Sequence, residues 1–454
     1  FSDTFWFSAV EGEVYAYSSF FTAIVFWLIL KWERNADEKG SDRWLVLIAY
    51  LMGLSIGVHL LNLLAIPAIV LVYYFKRYKP STKGIIMAML TSVVILAFVL
   101  YGLMTGVVYL STKIELFFVN QLGASYNTGW FVYLTLVVLS LSWAIYESHV
   151  NKSHVRMVIS FLLAVTLSGT PFLFENILIG LLVIVVLALF FTYKKQAVKP
   201  RWLNTSLVMI AVVLLGYSSY AVIVIRSSAQ PTMDQNSPDN VFALQYYLNR
   251  EQYGDRPLLY GGTYNAPMKL KVVGNTCEYD IDKSPQYAPK PKKDASEKDE
   301  YVVAGYKYKY KKDSKFMMLF PRMYSSDANH IKAYKSWGNI QGKRVDYEFC
   351  GEQRSDVKPT FGENLRYFFD YQVNFMYWRY FMWNFSGRQN DIQSYGEIEH
   401  GNWITGIPFI DKMMVGDQTY LPKELKENKG RNTYFMLPLL LGLVGIFFLL
   451  NSGK

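Results

Sequence analysis

The chain has 454 residues, 52% of them hydrophobic and 17% aromatic against only 18% charged, a poor mix for covering a soluble surface. Its formal net charge of +10 raises nucleic acid or an acidic surface as partner, but no zinc-finger spacing, P-loop or GxGxxG after a strand accompanies it. Most of the basic excess falls in short loops between apolar blocks, which points to membrane topology and away from nucleic acid.

The blocks predict a polytopic α-helical membrane protein. Ile85 to Leu110 and Leu203 to Ile225 carry no charged side chain, and runs of that length cross a hydrocarbon core roughly 30 Å thick. About nine spans are expected, at 14–31, 44–59, 60–75, 85–110, 129–147, 155–173, 177–193, 204–225 and 434–451. Lys31, Arg34, Lys39 and Arg43 follow the first span; Lys76, Arg77, Lys79 and Lys83 follow the third. Lys152 and Arg156 follow the fifth, and Lys194, Lys195, Lys199 and Arg201 the seventh. Every second short loop is therefore basic, which puts those loops in the cytoplasm and Asp3, Glu11, Glu13 and Glu175 outside. By the same parity residues 226–433 lie outside. The second and third spans meet at His59, with Pro67 beyond, and are expected to form a hairpin or irregular backbone lining a cavity. The chain opens at Phe1 with no basic n-region, and this aromatic start, with the end at Lys454 after an apolar run, suggests a piece of a longer polypeptide.

Residues 226–433 read differently, as a mixed α+β domain. Gly254-Asp255, Gly261-Gly262 and Pro267 separate short apolar stretches, and Tyr301 to Tyr310 alternates like a half-exposed strand, with Phe316 to Phe320 as its expected hairpin partner. Lys290 to Asp299 is charged and reads as a mobile loop, and Asn364 to Phe385 as an unusually aromatic helix. Cys277 and Cys350 both fall here, as a disulfide in an oxidising compartment or as two buried thiols.

Candidate chemistry gathers at the outer ends of the spans. Glu11 and Glu13 could act as general base or hold a metal, or simply stabilise the first helical turn, with Tyr15 just inside the span. His59 and Asn62 could bind a phosphate or shuttle a proton, or merely bond to backbone. Arg226 could pair with a lipid phosphate or anchor its helix at the headgroups. Asn120-Gln121 and Glu175-Asn176 are weaker candidates of the same kind. The run Phe375 to Phe385, with Trp383, suits the membrane interface or stacking on a sugar or a polyprenyl chain. The polar run after it, with Arg388, Asn390 and Asp391, suits a binding loop.

The stretches FSDTFWFSAVEGEVYAYSSFFTA, GLSIGVHLLNLLAIPA, QNSPDNVFALQYYLNREQYGDRPLLYG and YFMWNFSGRQNDIQ resemble a family of Bacteroidetes membrane proteins, domain-of-unknown-function family 2723, described as protein O-mannosyltransferase-like. Glu11, Glu13 and the Gly53/Gly57–His59 pair of spans are more remotely similar to the GT-C class of polyprenyl-phosphate-sugar glycosyltransferases. That resemblance implies transfer of a sugar from a lipid-linked donor to a protein or glycan acceptor at the periplasmic face of a bacterial inner membrane. It implies a principal catalytic carboxylate in a loop upstream of Phe1, with Glu11 and Glu13 in the next outer loop. His59 stands about where relatives carry a lysine near the lipid phosphate, and neutral imidazole is the weaker anion binder. Donor-phosphate binding is accordingly expected of His59, Asn62 and Arg226, with a divalent metal (Mg or Mn) as a further candidate. Sugar or acceptor binding is expected of Tyr15, Trp383, Arg388, Asn390 and Asp391. The alternative is a non-catalytic scaffold or assembly partner in envelope biogenesis. A transporter is a third option, but no inverted repeat is evident.

Overall fold

The computed structural model describes residues 6, 10, 14–170, 177–193, 199–254, 256–274, 276–294 and 296–452. Its contacts divide the chain into a helical unit, residues 12–254 with 284–307, and a sheet-containing unit made of residues 1–11, 255–283 and 308–454.

In the helical unit, α1 (Tyr15–Asn35), α3 (Leu60–Arg77), α4 (Thr82–Gln121), α5 (Thr128–Val150) and α8 (Pro200–Ser228), with α2 (Asp42–Ile56) between the first two, supply the packed bundle. Among the described residues these five, and not nine, are long and apolar enough to cross a membrane. Among the described residues the other four expected spans hold shorter helices: α2 has 15 residues, α6 (His154–Leu167) 14, α7 (Ile177–Tyr193) 17 and Leu437–Asn451 15. A straight helix gains only about 1.5 Å per residue and needs roughly 20 to cross. Side chains such as Val93, Val94, Val138 and Leu139 are exposed on α4 and α5, as a lipid-facing surface requires.

Helix direction fixes the two ends of this unit. Asp37, after α1, meets Lys76 and Arg77 at the end of α3, both at 3.3 Å, and Asp42 at the start of α2 holds Arg201 at the start of α8 at 2.7 Å. The opposite end therefore gathers the start of α1, the end of α2, the start of α3 and residues 217–228 of α8. Between the ends, Val25, Ile29, Trp32, Met52, Leu103 and Tyr217 form one core. α2 and α8 cross backbone to backbone: a Cβ on Gly216 would sit 2.5 Å from the Leu54 nitrogen, and one on Gly53 would strike the Val213 carbonyl. Small residues permit such crossings where no water drives helices together. Gly53→Val and Gly216→Val are each expected to destabilise by about 1–3 kcal/mol through overpacking. A lowered thermal midpoint in detergent checks this, with Gly442→Val, which faces open space, as control.

α4 runs to Gln121 through two stretches wound as π-helix, Phe98–Gly106 and Phe117–Gln121. Its end, the end of α8 and α9 (Val241–Leu248) enclose Tyr301 in a second core with Val119, Val224 and Phe242. Tyr301 opens β5 (Tyr301–Tyr310), whose partner is β4 (Ile281–Pro289) and not Phe316 to Phe320 as the sequence suggested. The prolines and charges of β4 disguise it as loop; a two-stranded hairpin tolerates them because both of its strands are edges. The connection between β4 and β5 carries ion pairs Lys290–Glu300 (3.0 Å) and Lys292–Asp299 (2.6 Å), and Asp299 accepts from the Tyr126 N–H at 2.8 Å.

The sheet-containing unit is built of short antiparallel pairs. β1 (Tyr260–Gly262) pairs with β6 (Met317–Leu319), β2 (Leu270–Val273) with β3 (Thr276–Tyr279), and β7 (Lys343–Phe349) with β8 (Glu352–Lys358). Cys277 and Cys350 form a disulfide, Cα to Cα 5.8 Å, tying the β2–β3 hairpin to the turn between β7 and β8. α10 (Ala328–Gly338) packs on α11 (361–385) around Met323, Tyr334 and Tyr367. β9 (Gly387–Arg388) pairs with β10 (Asn432–Thr433), and after it α13 (Leu437–Asn451) runs charge-free with its side chains exposed; α12 (Pro408–Val415) lies between them in the chain.

Candidate functional site

Glu11 and Glu13 lie outside the described residues, as do Glu175 and Asn176. The structure does bring together two other groups of the expected residues, one in each unit.

In the helical unit α2 ends at Ile56, and His59 adopts extended backbone, φ −161° and ψ 135°. There its side chain caps the 3-10 turn Leu60–Ala65 that opens α3: His59 Nδ1 accepts from the Leu61 N–H at 3.1 Å. That bond fixes the lone pair on Nδ1, so the neutral ring carries its proton on Nε2 and is free to donate from it. Pro67 falls in the first turn of the helix that follows, where no N–H is needed. Across from His59 stands Tyr15 in the first turn of α1, ring centroids 5.9 Å apart. Tyr15 is exposed, so two donors, the Tyr15 hydroxyl and the His59 Nε2–H, share one open edge of the bundle.

Asn62 lies one 3-10 turn after His59, where residues i and i+3 eclipse. It is 1% exposed, and its Nδ2 donates to Ser55 Oγ at 3.0 Å and to Met52 Sδ at 3.3 Å, stitching the turn to α2. Its Oδ1 is buried without a donor, and so are Ser18 Oγ on α1 and Ser219 Oγ on α8. Ser18 lies one turn after Tyr15. Ser219 approaches Gly57, where a Cβ would come within 2.6 Å of its hydroxyl, and Tyr220 OH donates to the Ile56 carbonyl at 3.1 Å. Unmet hydrogen-bonding capacity of this kind is uncommon in packed interiors. Ser18, Ser55 and Ser219 escaped the sequence reading because serines inside apolar spans usually bond back to their own helix, as Ser55 Oγ does to the Met52 carbonyl.

Arg226 is exposed on the last turns of α8 and makes no ion pair among the described residues. Asn120 is structural, holding the Tyr301 backbone with both side-chain atoms at 2.8 and 2.9 Å.

In the sheet-containing unit Arg388 lies over the Trp383 ring, 4.3 Å from its centroid, and its Nε donates to the Asn390 carbonyl at 3.0 Å. Asn390 is buried and organises the loop: its Oδ1 accepts from the Ile392 and Gly401 N–H groups and its Nδ2 donates to the Glu399 carbonyl. Asp391 turns away and pairs with Asn428 at 2.8 Å. The sequence reading passed over Arg379, the one charge in the aromatic run, which is 7% exposed and sits against the same indole. Among the described residues no cluster of three His, Cys, Asp or Glu side chains forms.

Residues 1–82 match the family model described as the protein O-mannosyl-transferase TMEM260 N-terminal domain, and residues 254–369 match one described as a family of unknown function, DUF8416. No curated protein and no solved structure matches the chain. The first match ends where α4 begins, so Tyr15, Ser18, His59 and Asn62 all fall inside the O-mannosyltransferase-like segment.

Proposed function

We propose that the chain belongs to a membrane glycosyltransferase that moves a sugar from a polyprenyl-phosphate donor to a hydroxyl of a protein or glycan acceptor. The observation that carries this reading is the coincidence of the O-mannosyltransferase-like match with the Tyr15–His59 pair and the buried Asn62 that follows it. In this reading the donor's prenyl chain stays in lipid and its phosphosugar reaches the end of the bundle away from the lysines and arginines. That end faces the periplasm of a bacterial inner membrane if the basic end is cytoplasmic.

The chemistry follows from the residue types. The acceptor oxygen forms a bond to the anomeric carbon as the bond from that carbon to the phosphate oxygen breaks. The phosphate departs with the electron pair, and the acceptor proton passes to a carboxylate, with Glu11 and Glu13 as candidates alongside one upstream of Phe1. In this reading His59 Nε2–H and the Tyr15 hydroxyl donate to phosphate or sugar oxygens, and Arg226 offsets charge on the departing phosphate; the His59 cap and its ring contact with Tyr15 support it.

The test is release of radiolabelled sugar from polyprenyl-phosphate mannose by the purified protein with a Ser/Thr-rich acceptor peptide. Turnover is expected, with His59→Ala slowing it about tenfold, in keeping with one lost hydrogen bond to a charged group. Glu13→Gln is expected to slow it without lowering the thermal midpoint. Absence of any transfer by a well-folded preparation would favour the scaffold reading.

A further inference from the structure

α11 ends in an aromatic run with a single charge, Arg379, four residues after Phe375 and four before Trp383, so both rings share its helix face. The Arg379 guanidinium lies 4.0 Å from the Phe375 centroid and 5.1 Å from those of Tyr380 and Trp383. Its Nε donates to the Phe375 carbonyl and its Nη1 to the Gly401 carbonyl, each at 3.0 Å. Arg388 covers the same indole at 4.3 Å. Two guanidinium groups thus share one tryptophan, and neither is ion-paired with a carboxylate of the described residues. Burial holds Arg379 below the ordinary arginine range and Arg388 pushes it the same way, against the opposing pull of Tyr380, Tyr371 and the more distant Glu397.

Cations gathered in this way, one of them buried, call for an anion, since buried charge is ordinarily paired. The geometry favours an anion with several oxygens, which one guanidinium fork can meet in two parallel bonds. Among the described residues Arg388 is tethered only through Nε, to the Asn390 carbonyl, which leaves both terminal nitrogens of its fork to donate. Stacking on Trp383 and the Asn390-locked loop hold that fork in place before any ligand arrives.

The position of the fork supplies the carrier. β9, which bears Arg388, pairs with β10, and the Tyr434 and Phe435 N–H groups bond the Ser386 and Thr405 carbonyls at 2.8 and 2.9 Å. Two residues later α13 begins, apolar and exposed along its length, beside the end of α11. Exposed Tyr377, Trp378 and Tyr380 ring the same helix end, as side chains at a lipid–water interface do. We infer that Arg388 and Arg379, flanking Trp383 at the base of α13, bind the phosphate of a membrane lipid. The site uses residues of the sheet-containing unit alone and does not rest on the transferase reading.

The experiment is calorimetric titration of the full chain in neutral detergent with farnesyl phosphate, farnesol and inorganic phosphate. Arg388→Gln, Arg388→Lys and His59→Ala are compared with the parent. Farnesyl phosphate is expected to bind and farnesol not. Arg388→Gln should weaken one saturable component roughly tenfold to hundredfold, the range for a charged hydrogen-bonded contact. Arg388→Lys should weaken it less, and His59→Ala should leave it unchanged, which separates this site from the proposed donor site. Inorganic phosphate binding as tightly as farnesyl phosphate, and equally dependent on Arg388, would support the phosphate site but assign it a soluble ligand. An isotherm for Arg388→Gln identical to the parent's, or no binding of either phosphate to the parent, overturns the inference. If Arg388→Gln fails to fold, Arg388→Lys set against His59→Ala carries the same comparison.

Discussion

Protein in which Cys277 and Cys350 are both changed to Ser is expected to lose about 4 kcal/mol of stability from the sheet-containing unit, the loop-entropy value for a bridge closing some 70 residues. The sequence separation is 73, and the intervening chain includes β4, β5 and α10, so the bridge constrains much of the unfolded unit. The effect is expected to be near this full value because the two hairpins it joins bury few of their side chains. In β7 and β8 most side chains are exposed, as they are in β2 and β3, and isolated two-stranded hairpins are marginal in water. Cys350 is also a costly choice at its position. With Gly351 it forms the two-residue turn between β7 and β8, at φ +57° and +81°, a conformation that favours Gly or Asn.

Four kcal/mol corresponds to about a thousandfold rise in the opened population. Hydrogen exchange should show it as faster exchange of residues 270–279 and 343–358 in the double variant, with α1 to α5 unchanged. A reductant acting on the parent should give the same pattern, since Cys350 is exposed. Unchanged protection in both hairpins would mean that the bridge fastens strands already stable without it.

What could be read from sequence and what could not have a common physical origin. Ile85 to Leu110 announced itself because charge-free runs of that length have few other uses, yet α4 continues to Gln121. The extension was hidden because it contains Lys113 and Glu115, and hydropathy cannot see that Glu115 is satisfied by α5 and β5. The basic loops gave the helix directions, which place Tyr15 and His59 at one end of the bundle. Their contact, across 44 positions, depends on the extended backbone at His59, which no period of the sequence encodes. The partner of β5 is hidden in the sequence for a related reason. Strand pairing is decided by a distant segment, and β4 advertises itself with prolines and charges rather than alternation. At the Arg388 site the signal was present: a lone arginine amid nine apolar or aromatic neighbours needs a reason, and Arg379 supplied one once its partners were visible.

Glu115→Ala is expected to destabilise the helical unit by about 3–5 kcal/mol, the cost of stranding several buried donors at once. The Glu115 side chain is 0% exposed and both of its oxygens are engaged. Oε1 accepts from the Asn127 N–H at 2.5 Å and from the Tyr301 hydroxyl at 3.2 Å, and Oε2 accepts from the Trp130 N–H at 2.9 Å. It therefore caps the start of α5 from another helix, a task Asn127 does not perform because its own backbone is left-handed there, φ +69°. Gly129 makes the approach possible, since a Cβ on it would come within 2.6 Å of the Glu115 Cα. Glu115→Gln keeps the volume, yet either orientation of its amide turns an NH₂ toward an existing donor, so it should recover only part of the loss. Tyr301→Phe removes one bond and should cost about 1 kcal/mol. The double variant separates two roles for the carboxylate. If it fastens the β4–β5 hairpin to the end of α4 through Tyr301, the two changes should be non-additive by at least about 0.5 kcal/mol in thermal unfolding. Full additivity would confine Glu115 to capping α5, and a stable Glu115→Ala protein would show that water replaces it.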